Sequence, residues 1–328
     1  MSGEVLPLPR DDSLPETLRG FMERFSTEEA CAEFLRLWKY GPDGFRCPRC
    51  DGRTAWFLPS RRLDECTTCH KQTSLTAGTV MEGTRKPLRD WFLAMYLFVV
   101  SKQGISAMEL SRELGLSYPA AWTWLHKLRA AVNTRARSPL EGVVEADETW
   151  EGGLRKGEPG RPTVGEKALV AGAVERKERG WGRARLASLE DGSSASIGPF
   201  LQENVASGTT LRTDDWRSYR RPARELGLNH VPTNVSKSGQ EAHEILAAVH
   251  RVFSLLHRVL LATYQGAVSQ KHLPNYLAEY EFRFNRRNSG SRTLLFQRLL
   301  SAAVKGRPPY YWEILDRPDG KTPLGVAA

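Results

Sequence analysis

Val143-Val-Glu-Ala-Asp-Glu-Thr-Trp150 and Thr210-Leu-Arg-Thr-Asp214 are the two stretches on which the fold turns. In the first, an apolar start meets Asp147 and Glu148; the second ends on Asp214, sixty-seven residues after Asp147. Each is an acid at the end of a predicted strand, and a surface turn explains either one alone equally well. Their surroundings make the pair informative. The residue pattern predicts strands at 143–150, 168–174 and 183–189, a helix at 197–206, then the strand 210–214. A short helix at 218–226, a strand at 230–234 and helices at 241–264 and 272–286 follow.

Three strands, helix, strand, helix, strand and long helix is the ribonuclease-H-like order. In a mixed α/β sheet of suitable strand order, two such carboxylates sit side by side and hold divalent metal between them. Upstream the chain changes character. Residues 1–12 are a polar lead, and Ser26 with Glu29 reads as a capping box opening a helix through Trp38. Gly41 to Ala77 is turn-rich, carries four cysteines and includes the β-prone piece 54–58. From Leu88 to Arg129 the apolar spacing is helical, and Thr134 to Gly142 reads as a linker. The expected organisation is multidomain: a helical lead (1–40), a zinc ribbon (41–78), a helix-turn-helix segment (79–134), an α/β ribonuclease-H-like domain (140–305) and a Pro- and Gly-rich tail across the surface (306–328).

Composition narrows the partners. A chain of 328 residues, 40% hydrophobic and 26% charged, is globular and too long for one core. Forty-seven Lys and Arg against 38 Asp and Glu leave +9, which suits a polyanion, nucleic acid before membrane. The most apolar run, Trp91 to Val100, is about half of the ~20 residues a bilayer span needs, so it is expected to be a buried helix. The start MSGEVLPLPRDD shows no secretory signal, which predicts a cytosolic protein. Five cysteines in that reducing compartment do not make a disulfide framework.

Cys47-Pro-Arg-Cys50 and Cys66-Thr-Thr-Cys69 are two knuckles separated by fifteen residues, a spacing that lets four thiolates converge on one tetrahedral zinc. A thioredoxin-like redox pair needs a single such motif between strand and helix, which does not fit. Cys31 reads as a buried small hydrophobe, and His70 falls outside a shell that four thiolates already close. Arg46, Arg49, Arg53, Arg61, Arg62 and Lys71, interleaved with Trp56 and Phe57, favour nucleic acid at the ribbon. Gly104 to Arg129 reads as helix, tight turn at Gly115, helix, with Ser117 capping and Pro119 in the first turn. That is helix-turn-helix grammar, in which Tyr118, Thr123, Trp124, Lys127 and Arg129 face a major groove; an ordinary helical hairpin is the alternative.

A series of motifs carries a resemblance. Pro42-Asp-Gly-Phe45 before the first knuckle, Gln72-Thr-Ser74, Ala77-Gly-Thr79, Glu145-Ala-Asp-Glu-Thr-Trp-Glu-Gly-Gly153, Thr213-Asp-Asp-Trp216 with Tyr219, Val249-His-Arg-Val-Phe-Ser254, Gly266 and Phe282-Arg-Phe-Asn-Arg-Arg287 occur in that order. Together they resemble the zinc-ribbon insertion-sequence transposases of the ISXO-like group over residues 26–290. The resemblance implies a bacterial, nucleoid-associated enzyme that cuts and joins double-stranded DNA at its element's ends. It implies two catalytic aspartates, Asp147 and Asp214, and a third metal-binding position at His250, holding Mg2+ or Mn2+, with structural Zn2+ in the ribbon. Two ions about 3.5–4 Å apart stabilise the attacking and leaving oxygens in such chemistry. Imidazole suits manganese better than magnesium. His243, His250 and His257 recur every seven residues, a climb of about 10.5 Å, so they cannot share one ion. Glu244 competes for the third place. Relative to the group's pattern, His257 stands where lysine is common and Asp215 where glycine is usual. Arg283, Arg286 and Arg287, with Arg292, form a basic end on the last helix that is expected to meet phosphates, alongside Arg49, Lys127 and Arg129 in the N-terminal modules.

Three functions follow: a transposase acting on its inverted terminal repeats; an inactive or domesticated copy that binds DNA through ribbon and helix-turn-helix; and a stand-alone nuclease. Cutting two ends makes at least a homodimer on DNA the expected assembly.

Overall fold

The computed structural model describes residues 11, 13–133, 137–151, 167–234, 239, 241–266, 268–305 and 309–315. The chain divides into two compact units, residues 1–132 with 289–328, and residues 133–288.

In the first unit, α1 (Leu18–Arg24) and α2 (Glu28–Tyr40) each begin at a threonine whose hydroxyl accepts a first-turn amide. The cap of α2 is Thr27, one residue beyond the expected Ser26. Strands β1 (Ala55–Leu58), β2 (Leu63–Cys66) and β3 (Gln72–Ser74) make a three-stranded antiparallel sheet. Helix α3 (Leu88–Val100) contains the apolar run and buries most of it. Helices α4 (Ala107–Leu114) and α5 (Tyr118–Val132) are joined through Gly115, whose φ of 60° is the left-handed conformation that favours glycine.

The second unit is one five-stranded sheet between helices. Strands β4 (Val143–Glu151), β5 (Ala168–Arg176) and β6 (Trp181–Leu189) are antiparallel neighbours. After α6 (Ser194–Asn204), β7 (Thr210–Asp214) pairs parallel to β4; after α7 (Arg220–Glu225), β8 (Asn229–Thr233) pairs parallel to β7. The order β6-β5-β4-β7-β8 is the ribonuclease-H-like sheet that the element order predicts. On one face Val144, Ala146, Ala171 and Leu211 pack under Ile197, Phe200 and Leu201 of α6 and Tyr219. The other face, with Val170, Val174 and Leu186, is covered by two later helices.

The single helix expected at 241–264 is two, α8 (Ala242–Ile245) and α9 (Ala247–Ala262), parted at Leu246. The break has a long-range cause. Buried Glu145 of β4 accepts the amides of Ala248 at 2.7 Å and Val249 at 3.4 Å, satisfying groups that a helix start leaves without intrahelical partners. Val249, Val252, Phe253 and Leu256 of α9, with Leu277 and Tyr280 of α10 (Leu273–Phe284), complete the second core.

Helices α11 (Arg292–Lys305) and α12 (Tyr311–Ile314) belong to the first unit, so the boundary expected at 305 lies near residue 288. The reason is aromatic: Phe296 sits 4.9–6.4 Å, centroid to centroid, from Phe21, Phe25, Phe34 and Phe92. Glu16 and Glu28 also cap α11 and α3 from a distance. Most of the tail expected across the surface lies outside the described residues.

Candidate metal centres

The parallel ladder between β4 and β7 pairs Val143 with Thr210, Val144 with Leu211 and Glu145 with Arg212. Two residues beyond the last pair, on the same face by the two-residue period of a strand, each carries an aspartate, Asp147 and Asp214. That face lies under α9, and Nε2 of His250 is 3.2 Å from Oδ2 of Asp147. Two donors of one octahedral shell at 2.0–2.1 Å stand about 3 Å apart, so this pair fits a shared small cation, as does the carboxylate and imidazole chemistry. Asp214 accepts the Trp216 amide at 3.1 Å. It is not drawn into as tight a cluster: among the described residues, the group whose donor atoms converge is the cysteine quartet.

Gly172 explains how α9 comes so near. It pairs across the sheet with Asp147, and a Cβ there would lie 2.6 Å from Phe253 Cε1 and 3.1 Å from Val249 Cγ2. Burial pushes the Asp147 carboxyl up to about 6, against the Glu148 amide donated to it at 2.9 Å and with the Asp214 charge adding to the rise. On the opposite face, Glu148 is pushed up to about 7 by burial and the two neighbouring aspartates, although the buried Tyr219 hydroxyl donates to it.

The other sequence candidates fall elsewhere. Glu244 is exposed and its carboxylate accepts the amide of Glu241, so the structure does not bring it to the aspartates. The side chain of His243 lies outside the described residues. His257 Nδ1 meets buried Glu151 at 3.2 Å. Asp215, the extra acid, is engaged by Arg220 at 2.6 Å and Asn234 at 3.2 Å.

In the ribbon, Sγ of Cys47 and Cys69, and of Cys50 and Cys66, are 3.6 Å apart, and all four lie within 4.8 Å of one another. A tetrahedral zinc with 2.3 Å bonds sets its sulfurs about 3.8 Å apart, so the quartet fits that ion. The knuckles turn alike: Asp51 and His70, each following the second cysteine, have φ of 59° and 56°. Gly52 makes room, since a Cβ would lie 3.1 Å from Cys66 Sγ.

The cations expected on DNA divide sharply. Arg49 is exposed beside Cys50. Lys127 lines a cavity of about 340 Å³ with Thr84, Arg85, Lys86 and Thr123, and burial lowers its pKa. Arg129 is 1% exposed and Trp124 stacks on Trp91 at 3.8 Å, so neither faces a groove; both belong to the core of their unit. Arg283 pairs with buried Glu279, Arg286 lies over Phe282, and Arg287 lies over Phe284 while donating to Gly182 O. Arg283 is thereby held inside the unit, whereas Arg286 is half-buried and Arg287 remains exposed at the end of α10. The sequence reading missed Arg251 and Arg258, exposed on α9, and the exposed indoles of Trp150 and Trp216.

Known proteins show the same two modules. Residues 139–285 match the family described as the ISXO2-like transposase domain, and residues 26–72 the transposase zinc-ribbon domain. An uncharacterized protein in transposable element ISH50 of Halobacterium salinarum is 26% identical over 212 residues, 60% of this chain and 71% of that protein. The Mos1 strand transfer complex aligns at 13% identity and a TM-score of 0.30 over 67% of this chain and 78% of that one. A pre-cleavage Mos1 transpososome aligns at 13% and 0.29 over 70% and 79%.

Proposed function

We propose, for a chain that belongs to the zinc-ribbon ISXO2-like transposases, that it binds the inverted terminal repeats of its element and catalyses metal-dependent DNA cleavage and strand transfer. One observation carries the reading: Asp147 and His250, from different elements, meet at 3.2 Å on the face where Asp214 stands two residues past the ladder. Asp147, Asp214 and His250 would hold Mg2+ or Mn2+, which when bound stabilises the attacking and leaving oxygens of an in-line displacement.

The chain's own residues do the rest. Asp147 would be one donor, its carboxylate held by the Glu148 amide, and Asp214 another, oriented by the Trp216 amide. His250 is set by the seating of α9 over Gly172. Arg251 and Arg258, exposed on α9, supply phosphate contacts there. In the N-terminal unit Arg49 and Lys127 contact the backbone of the element end, positioning DNA without reading its bases. The protein acts in the cytoplasm on the nucleoid, as at least a dimer when two ends are cut. Asp215, the additional acid beside Asp214, is paired with Arg220. Incubating the full chain with a labelled element-end duplex and Mn2+ tests the reading: strand breaks at the element boundary support it. Specific binding without any cleavage favours the domesticated DNA-binding alternative.

A further inference from the structure

One layer below the aspartates, on the same face, lie Glu145 and Arg212, each two residues before an aspartate on its strand and partners in the ladder. Glu145 is fully buried, and its two oxygens are divided. Oε2 accepts the amides of Ala248 and Val249, while Oε1 faces Arg176 at 3.2 Å and Arg212 at 3.6 Å. Arg212 in turn donates to the carbonyl of Ile245 at 3.2 Å. The pair therefore grips both sides of the break at Leu246, the last carbonyl of α8 and the first amides of α9. His250 follows Val249 directly.

We propose that Glu145 and Arg212 form a positioning clamp that sets His250 against Asp147 and Asp214. The proposal rests on the metal-site reading of those three side chains. The two aspartates come from adjacent strands whose spacing the ladder sets, but the third ligand comes from a helix that nothing in the ladder places. The Glu145 carboxylate ties that helix to β4 and the Arg212 guanidinium ties the preceding turn to β7, so each aspartate strand holds one end of the junction. A cap on α9 needs only an acceptor, which any surface serine or aspartate supplies; a buried carboxylate neutralised by two arginines is a costlier arrangement. Its position one strand-repeat beneath the ligands accounts for it. Residues that orient metal ligands typically change metal affinity about 10–100-fold when altered.

The test uses the zinc-loaded full chain. Mn2+ binding is measured from the free-ion electron paramagnetic resonance signal for the parent, Asp147→Ala, Glu145→Gln and Arg212→Lys, with hydrogen exchange at the Ala248 and Val249 amides. Glu145→Gln keeps an acceptor for the helix but loses the charge; Arg212→Lys keeps a charge but cannot bridge Glu145 and Ile245 together. The clamp predicts Mn2+ affinity about 10–100-fold weaker in both and faster exchange at the two amides, with zinc content unchanged. Should Glu145→Gln lose its cooperative unfolding transition, Arg212→Lys alone decides. Parental Mn2+ affinity in both clamp variants while Asp147→Ala binds weakly overturns the clamp alone. Equal binding by the parent and Asp147→Ala overturns the metal-site reading and the clamp with it.

Discussion

Replacing Gly172 by Ala is the smallest change that should disturb the proposed metal centre without touching one of its proposed ligands. The added Cβ would lie 2.6 Å and 2.8 Å from Phe253 Cε1 and Cζ, and 3.1 Å from Val249 Cγ2. Carbon atoms pack at about 3.5–4.0 Å, so α9 must lift by about 1 Å or the Phe253 ring must turn. Overpacking of this kind costs about 1–3 kcal/mol. Gly172 has no positive φ, so alanine meets no backbone penalty and recovers about 0.5–1 kcal/mol by stiffening the unfolded chain. The net loss, about 0–2.5 kcal/mol, lowers the melting temperature of a unit this size by up to about 10 °C. His250 rides on the displaced helix, so its 3.2 Å contact with Asp147 opens to about 4 Å, beyond the ~0.2 Å tolerance of metal ligation. Thermal unfolding and Mn2+ titration read the two effects, and Phe253→Leu in the same chain should restore both. A Gly172→Ala protein that melts within about 1 °C of the parent and binds Mn2+ equally would refute this seating of α9.

Three further outcomes are expected. Freshly purified protein should carry one zinc per chain by elemental analysis, and Cys66→Ser should lose it, because four converging thiolates close a tetrahedral shell. Lys39→Met should destabilise the first unit by about 2–3 kcal/mol in urea, because Lys39 Nζ donates to the carbonyls of Ser74, Leu75 and Ala77 at 2.8–2.9 Å and methionine leaves all three without that donor. The Glu148 carboxyl, raised to about 7 from 4.5, binds its proton more tightly folded than unfolded, so its stabilisation is complete below about 4.5 and lost as pH rises through 7. Glu148→Gln, compared with the parent in metal-free urea titrations at pH 5 and 8, should therefore flatten the difference between them; an unchanged difference would remove Glu148 as its source.

The sheet was legible because its elements are written plainly: the strand expected at 210–214 is observed at those residues, and the buried helix predicted around Trp91 is α3. The cysteine spacing was equally open, since knuckle chemistry is local. Long-range capping escaped the sequence reading. Glu145 sits one hundred and three residues from Ala248, whose amide it accepts, and no periodicity reports that contact or the break at Leu246. Arginines misled for a related reason. In the run Arg283, Arg286 and Arg287, which looks like a phosphate surface, Arg283 is taken up by buried Glu279 and the flat heads of Arg286 and Arg287 lie over Phe282 and Phe284, with Arg287 left exposed. Arg129 repeats the lesson on α5, whose buried face, with Trp124, Leu125 and Leu128, takes the cation inward. The boundary near 288 rests on Phe296, whose aromatic partners lie hundreds of residues upstream.

The proposed function separates chemistry, carried by Asp147, Asp214 and His250, from DNA holding, carried by other residues. Its most direct measurement is cleavage of an element-end duplex in Mn2+ beside its binding, for the parent, Asp147→Ala, Asp214→Ala, His250→Ala and Glu244→Ala. End binding is expected in all five, with cleavage in the parent and Glu244→Ala and none in the other three. Parental cleavage by His250→Ala with a dead Glu244→Ala would contradict it.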